Sequence, residues 1–291
     1  MRTDELLALF REKERTALHG NINQITSVLN ARLKIFLSYK IWMLVELLNS
    51  VVSIAVYYFF GVMVESEKLE AAGYGTSYLS FALIGIASQT FLWTCVARIA
   101  FVLRVELQEG TFEALNATRL KIHNFLFGQS LSGFILSMWF FTSAMLSGIF
   151  VLSASLTLTP ETIITSIIII ILMILAHIGI GFIAAGGVLI LKRGDPIVAV
   201  FAVLTQFLSG VLFPLEVLPP ELEAVAKALP FTYALRSLRF ALLAERPISD
   251  PTIIHDIIFC GIFAIALIPL GIWFFGKAHN YAKTRGTTGH Y

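Results

Sequence analysis

The 291-residue chain is 57% hydrophobic and only 14% charged, with a mean hydropathy of +0.82. That charge content is well below the roughly 25% of a soluble domain, so the sequence reads as a polytopic membrane protein. A formal net charge of +2 is too small to point to nucleic acid, and the lone Cys95 and Cys260 lack the spacing of a metal site or a disulfide framework.

The N-terminus, MRTDELLALFREKERTALHG, is charged and holds no signal-peptide core. Residues 4–18 are expected to form a charged helix. Across residues 21–40, Ile22, Ile25, Leu29, Leu33 and Phe36 recur at spacings of three and four, while Asn23, Asn30, Arg32 and Lys34 fall mostly off that stripe. This predicts an N-terminal amphipathic helix lying in the membrane interface, its basic residues near lipid phosphates.

Apolar runs then predict six spans, at Ile41–Val64, Tyr78–Leu103, Phe125–Leu152, Ile163–Leu191, Pro196–Phe213 and Ile253–Phe275. The fourth is overlong for a bilayer, which implies tilt or emergence from the membrane. Basic residues concentrate before the first span, after the second (Arg104, Arg119, Lys121), after the fourth (Lys192, Arg193) and in the tail (Lys277, Lys283, Arg285). The first loop is acidic and the third has no Lys or Arg. The positive-inside rule places both termini in the cytoplasm of a multi-pass protein of the plasma (inner) membrane. The chain divides into a cytoplasmic N-terminal region (1–40), a six-helix transmembrane domain (41–275) and a cytoplasmic tail (276–291). Within the domain, 104–124 is a cytoplasmic loop and 214–252 an external segment.

Polar residues inside the spans are few. Glu46 and Arg98 stand near the cytoplasmic side of the first two spans. They either pair with each other or reach separately to the interface. Gln89, His177 and Gln206 lie deeper, and either hydrogen-bond between helices or line a path. "HIGIGFIAAGG" (177–187) points to close helix packing rather than catalysis.

The stretch from Gly210 to Leu243 is too broken to span and too apolar for an ordinary loop. Pro214 ends the fifth span. The Leu-Pro-Pro run at 218–220 starts a new helix, because proline suits the first helical turn. Pro230 ends it, and Tyr233–Leu243 forms a second amphipathic piece. Two short re-entrant helices in the outer leaflet, closing the external end of a pathway, fit this pattern. Arg236 and Arg239 are three apart. They grip a phosphate or carboxylate of an outgoing molecule, or they pair with Glu216, Glu221 or Glu223.

Residues 208–243, "LSGVLFPLEVLP…LPFTYALRSLRFALL", resemble the external signature of ABC-2 type transporter permeases, with Gly210, Phe213-Pro214, Leu218-Pro219, Leu229-Pro230, Tyr233-Ala234 and Arg239 in the expected order. "ELQEGTFEALNATRLKIHNFLFGQSL" (106–131) resembles the cytoplasmic coupling element of that family. The family usually shows Thr-Pro a few residues after its Gly-Thr-x-Glu core; here it is Thr118-Arg119.

The resemblance implies an all-α fold of six transmembrane helices, with an amphipathic start and external re-entrant helices between spans 5 and 6. It also implies a permease homodimer bound to two copies of a separate ABC ATPase. ATP and Mg would sit on that ATPase, with no cofactor or metal in this chain. The sequence has no G-x-x-x-x-G-K-[ST] phosphate loop. In the coupling element, Gly110 and Thr111 read as a helix start with Thr111 as the cap. Phe112 and Leu115 share one face, flanked by Glu109 and Glu113. They are expected to press into a groove of the ATPase or to form the loop's own small core. Apolar spans and 24 Phe suit export of a hydrophobic or amphipathic substrate: a drug, a lipid or a lipid-linked glycan. The alternatives are a secondary transporter, which predicts repeats and midplane carboxylates, and an intramembrane enzyme, for which His255 and Asp256 are the sole hint.

Overall fold

The computed structural model describes residues 3–63, 67–75, 77–191 and 195–285. Their regular structure is entirely helical, with no strand among the described residues. The helices in chain order are α1 (Thr3–Ser38), α2 (Lys40–Met63), α3 (Glu67–Ala71), α4 (Tyr78–Leu92), a π segment (Trp93–Ala97), α5 (Arg98–Gln108), α6 (Thr111–Ala117), α7 (Ile122–Leu152), α8 (Pro160–Leu191) and α9 (Asp195–Leu208). A 3₁₀ turn (Leu215–Val217), α10 (Pro220–Ala226), α11 (Pro230–Leu242) and α12 (Pro251–Thr284) complete the chain.

Four of these are long and apolar enough to cross a membrane: Lys40–Phe59 of α2, and α7, α8 and α12. The second and fifth expected spans take other forms. The second is a continuous helical rod, α4 to α5, whose hydrogen-bond ladder is widened at Trp93–Ala97. The fifth is α9, only 14 residues long, or about 21 Å against a hydrocarbon core of about 30 Å.

Two further expectations change. The separate helices expected over 4–18 and 21–40 are one continuous α1. The helix of the sixth expected span does not end near Phe275: α12 runs on to Thr284 with Ala278, His279 and Ala282 buried. The expected tail is thus largely a continuation of α12, held by its own packing. Val64, the basic pair Lys192 and Arg193, and the last residues of the chain lie outside the described residues.

The core forms around α8. Its buried face includes Met173, Ala176, Phe182, Ala185 and Val188, and α12 lies along it. The two helices approach closely because both carry glycine at the crossing. A Cβ on Gly179 would fall 2.4 Å from the Leu267 carbonyl carbon, and one on Gly271 would fall 2.3 Å from the Gly179 carbonyl oxygen. In lipid, where apolar burial alone gives little drive, small residues let backbones touch and dispersion hold them. By contrast α2 leaves Ile41, Trp42, Leu44, Val52 and Phe59 exposed.

This crossing gives a controlled test. Gly179→Val forces a side chain into the α12 backbone and is expected to destabilise the fold by about 1–3 kcal/mol or more. It should read as a lowered Tm and broadened size-exclusion peak in detergent. Gly261 lies on the same α12 but has open space where a methyl group would stand, so it should accept alanine with no change.

Candidate functional site

The residues singled out by the sequence gather at two opposite ends of the α4–α5 rod and in a cavity beside it. At the α6 end, α5 stops at Gln108 and Gly110 takes a left-handed conformation, φ 73°. That conformation is costly for any residue with a Cβ, and it turns the chain sharply into α6. Thr111 does not cap α6, as its position suggested. Its hydroxyl turns back to the Glu106 carbonyl at 3.2 Å and to the Glu106 carboxylate. The same carboxylate accepts from Arg32 of α1 at 3.1 Å. With its amide oxygen facing the guanidinium, Gln129 of α7 accepts from Arg32 Nη2 at 2.9 Å and Nε at 2.7 Å. One arginine thus joins α1, α5 and α7, and reaches the start of α6 through Glu106.

Phe112 is fully buried. Its ring meets His279 of α12 edge-on at 5.9 Å, and His279 stacks on Phe275. Leu115 packs against the same core. The apolar face of α6 is therefore the loop's own anchor and not a surface offered to a partner. A seven-residue helix cannot persist alone, so its two large apolar side chains go to the nearest core. Glu109, Gly110, Thr111 and Glu113 form the exposed rim.

Without proline, α6 still ends at Ala117. Thr118 is extended, donates to the Leu115 carbonyl at 2.7 Å and accepts from the Leu120 N–H at 3.1 Å. The chain then zips to α1. Gln24 donates to the Arg119 carbonyl at 3.0 Å and accepts from the Lys121 N–H at 3.1 Å. Asn124 donates to Asn21 and Gln24.

At the opposite end, Pro220 opens α10 as its position predicted, but α9 stops at Leu208, ahead of Pro214, and Pro230 starts α11 instead of ending α10, which already stops at Ala226. Pro220 and Pro230 open α10 and α11, Pro214 is buried, and Pro219 and the half-buried Phe213 complete the turn. The arginines act otherwise. Arg239 is 2% exposed and meets no carboxylate among the described residues. It donates to the carbonyls of Gly210 (2.5 Å), Val211 (2.8 Å) and Phe81 (3.1 Å). Its guanidinium lies 3.4 Å from the Phe81 ring centroid. The Gly210 and Val211 carbonyls are freed just past the end of α9, whereas Phe81 lies in the first turn of α4 and its carbonyl accepts from Arg239 as an additional donor; Gly210 itself is left-handed, φ 75°.

Arg236 pairs with none of the three nearby glutamates. Its Nε and Nη2 meet both oxygens of Asp256 at 2.9 and 2.5 Å. Asp256 is fully buried, and also accepts from Ser237 at 2.9 Å. His255 Nδ1 lies 3.0 Å from it. The Asp256 hydrogen bonds hold the Arg236 guanidinium above its ordinary range despite partial burial. Tyr233 stacks on Phe259 at 5.0 Å and donates to the Lys227 carbonyl at 2.8 Å.

The intramembrane polar residues divide. No ion pair joins Glu46 to Arg98: they line separate cavities. Glu46, Asn49 and Ser53 follow one face of α2 into a cavity of about 370 Å³, whose far walls include Gln89, Thr90 and Ser143. His177 neither bridges helices nor lines that cavity. Its Nδ1 lies 2.6 Å from the Met173 carbonyl one turn back, and its ring packs among Phe201 and Phe231. Gln206 is half-buried on α9, outside the cavity walls. Sequence reasoning missed Glu106 and Gln129. The signal for Glu106 was its place five residues before Thr111; a buried Gln129 among serines carried none. No group of three or more His, Cys, Asp or Glu among the described residues could hold a metal ion.

Residues 23–243 match a family described as ABC-2 type transporter. No curated protein matches the chain.

The Arg239 cluster makes a direct prediction. Arg239→Met keeps length and apolar packing but strands the Gly210 and Val211 carbonyls past α9 and removes the charged donor on Phe81. Each hydrogen bond from a charged donor contributes about 1.5–3 kcal/mol, so the variant should unfold at a clearly lower Tm in detergent. An unchanged Tm would show that water or relaxation replaces the guanidinium.

Proposed function

The chain belongs to the ABC-2 type transporter family, a transmembrane transport component that is not catalytic by itself, and from that premise we propose that it is the permease subunit of an ATP-driven exporter. In this reading it spans the plasma membrane six times, with α9 and the α4–α5 rod as the two less regular spans and both termini cytoplasmic. Two copies of the chain pair with each other, and each engages one copy of a separate ABC ATPase that carries ATP and Mg. The cargo is hydrophobic or amphipathic, and it moves outward.

One observation carries the reading: α6 is a short stiff helix tied into four other elements. Phe112 fixes it to α12, Glu106 to α1 and α5, and the zipped residues 119–124 to α1 and α7. A push on its exposed rim therefore moves spans and not a slack loop. Glu109 and Glu113 give that rim an acidic character suited to a basic partner groove. The outward apolar faces of α2 and α9, with Val52, Phe59, Val203 and Phe207 exposed, support pairing with a second copy. The acidic charge of the first loop and the basic charge after the second span support the orientation. At the other end, α10 and α11 form a compact lid in which Arg239 and Asp256 are satisfied internally. That supports a gate role for this segment over direct contact with cargo.

The rim and the anchor separate in mutation. Glu109→Lys with Glu113→Lys is expected to cut ATPase co-purification and substrate-stimulated ATP hydrolysis several-fold while the permease keeps its Tm. Phe112→Ala should instead lower the permease's own stability by about 3–5 kcal/mol, with or without the ATPase. A charge-reversed rim that still recovers the ATPase and turns over ATP at wild-type rates would remove α6 as the coupling surface. Thiol labelling of single-cysteine variants at positions 116 and 157 tests orientation: 157 should react from outside intact cells, and 116 only after permeabilisation.

A further inference from the structure

A second cavity, of about 360 Å³, opens where α1 passes into α2. Arg32 and Phe36 of α1, Tyr39, Trp42 of α2, Arg98 of α5 and Leu136 of α7 line it. Two guanidiniums thus face one space, and no carboxylate forms any of its wall.

The two arginines differ in what answers them. Arg32 has Glu106 at 3.1 Å and the Gln129 amide oxygen at 2.7 Å. Arg98 has neither. Its Nε is buried with no hydrogen-bond partner, and none of the ion pairs among the described residues includes it. An arginine cannot shed its proton to escape burial. Arg98 is half-buried, and a cation so placed among apolar side chains without a counter-charge is unfavourable, so a geometry of this kind calls for an anion from outside the chain.

The walls say which anion. A guanidinium fork matches the oxygens of a phosphate. Tyr39 and Trp42 are 63% and 59% exposed, and aromatic rings of this kind settle at the headgroup level of a bilayer. Phe36 and Leu136 continue the wall with apolar surface, which a free inorganic ion would leave in contact with nothing. Phosphate is the shared chemistry. A headgroup with acyl chains satisfies both the charged and the apolar halves.

We propose that this cavity binds the phosphodiester headgroup of an anionic membrane phospholipid, with Arg98 as its main anion contact, Arg32 as the second, and Trp42 and Leu136 against the lipid's apolar part. Because Arg32 also holds Glu106, and Glu106 holds Thr111, two side chains link the bound lipid to the α6 turn.

Native mass spectrometry of the delipidated full-length chain in an uncharged detergent tests this. It is titrated with phosphatidylglycerol and, in parallel, with phosphatidylcholine. The wild type should bind its first phosphatidylglycerol at least about tenfold more tightly than phosphatidylcholine. Arg98→Gln should abolish that preference, Arg98→Lys should retain most of it, and Lys283→Gln, at the far end of α12, should leave it intact. Millimolar inorganic phosphate should not displace the lipid. Equal binding of the two lipids by the wild type would overturn the proposal, and so would a preference that survives Arg98→Gln. Displacement by inorganic phosphate would overturn it too, assigning the site to a free anion in place of a lipid.

Discussion

A backbone that breaks its helix inside or beside a bilayer must find partners for the carbonyls it frees, because hydrocarbon offers none. In this chain the break follows α9, and the main partner is one side chain, with the Tyr78 hydroxyl taking the Leu212 carbonyl at 3.1 Å. Arg239 gathers the carbonyls of Gly210, Val211 and Phe81 under a guanidinium that itself rests on an aromatic face. Everything at that end follows from this placement. The left-handed Gly210 lets the chain turn there, and Gly85 lets it lie against α4, since a Cβ on Gly85 would fall 2.2 Å from the Val211 carbonyl oxygen. The carrier of the guanidinium, α11, is then fixed by its second arginine to Asp256 on α12. A charge that looks available for a ligand is in fact consumed by architecture.

The other end deploys charge in a different way. Arg32 is shared between a carboxylate on α5 and an amide on α7, and a run of amide-to-backbone contacts fastens α1 along the start of α7. Close approach again depends on a glycine: a Cβ on Gly128 would fall 2.7 Å from Val28 Cβ. The two polar clusters are separated by the length of the rod, with an apolar core between them. Motion at one end reaches the other through helices that are packed side by side, not through any continuous polar chain.

Much of this was legible in the sequence, and the limits have physical causes. The helix start at Pro220 was readable because proline acts locally, while the start at Pro230 was read only as a break. The long apolar runs of α7 and α8 were readable because length and hydropathy suffice. The family resemblance was readable on the residues that punctuate those runs. Phe112 was harder. Whether a two-residue apolar face turns to a partner or to its own core depends on His279, far along the chain. Arg236 suggested Glu216, Glu221 and Glu223 because they are near in sequence, while its partner lies on another helix. An aspartate within the apolar run of α12 was the clue, since such a group requires a cation. Arg239 left no clue at all, because carbonyls have no sequence signature. The widened turn at Trp93–Ala97 is equally silent, and Arg98, directly after it, lines a different cavity from Glu46.

The pairing of α8 with α12 has a consequence for how the chain is made. The glycine face of α8 is completed only by a helix that begins at Pro251, so α8 leaves the ribosome long before its counterpart exists. At about 5–20 residues per second, the stretch from Leu191 to Pro251 takes several seconds to synthesise. During that interval Gly179 and its neighbours face lipid, a holding chaperone or an insertion machine, and Arg236 emerges with its carboxylate still unmade. Assembly of the core is thus a late event, timed by translation. A pause or truncation before α12 would leave a half-built bundle with an unanswered arginine, a ready substrate for membrane quality control.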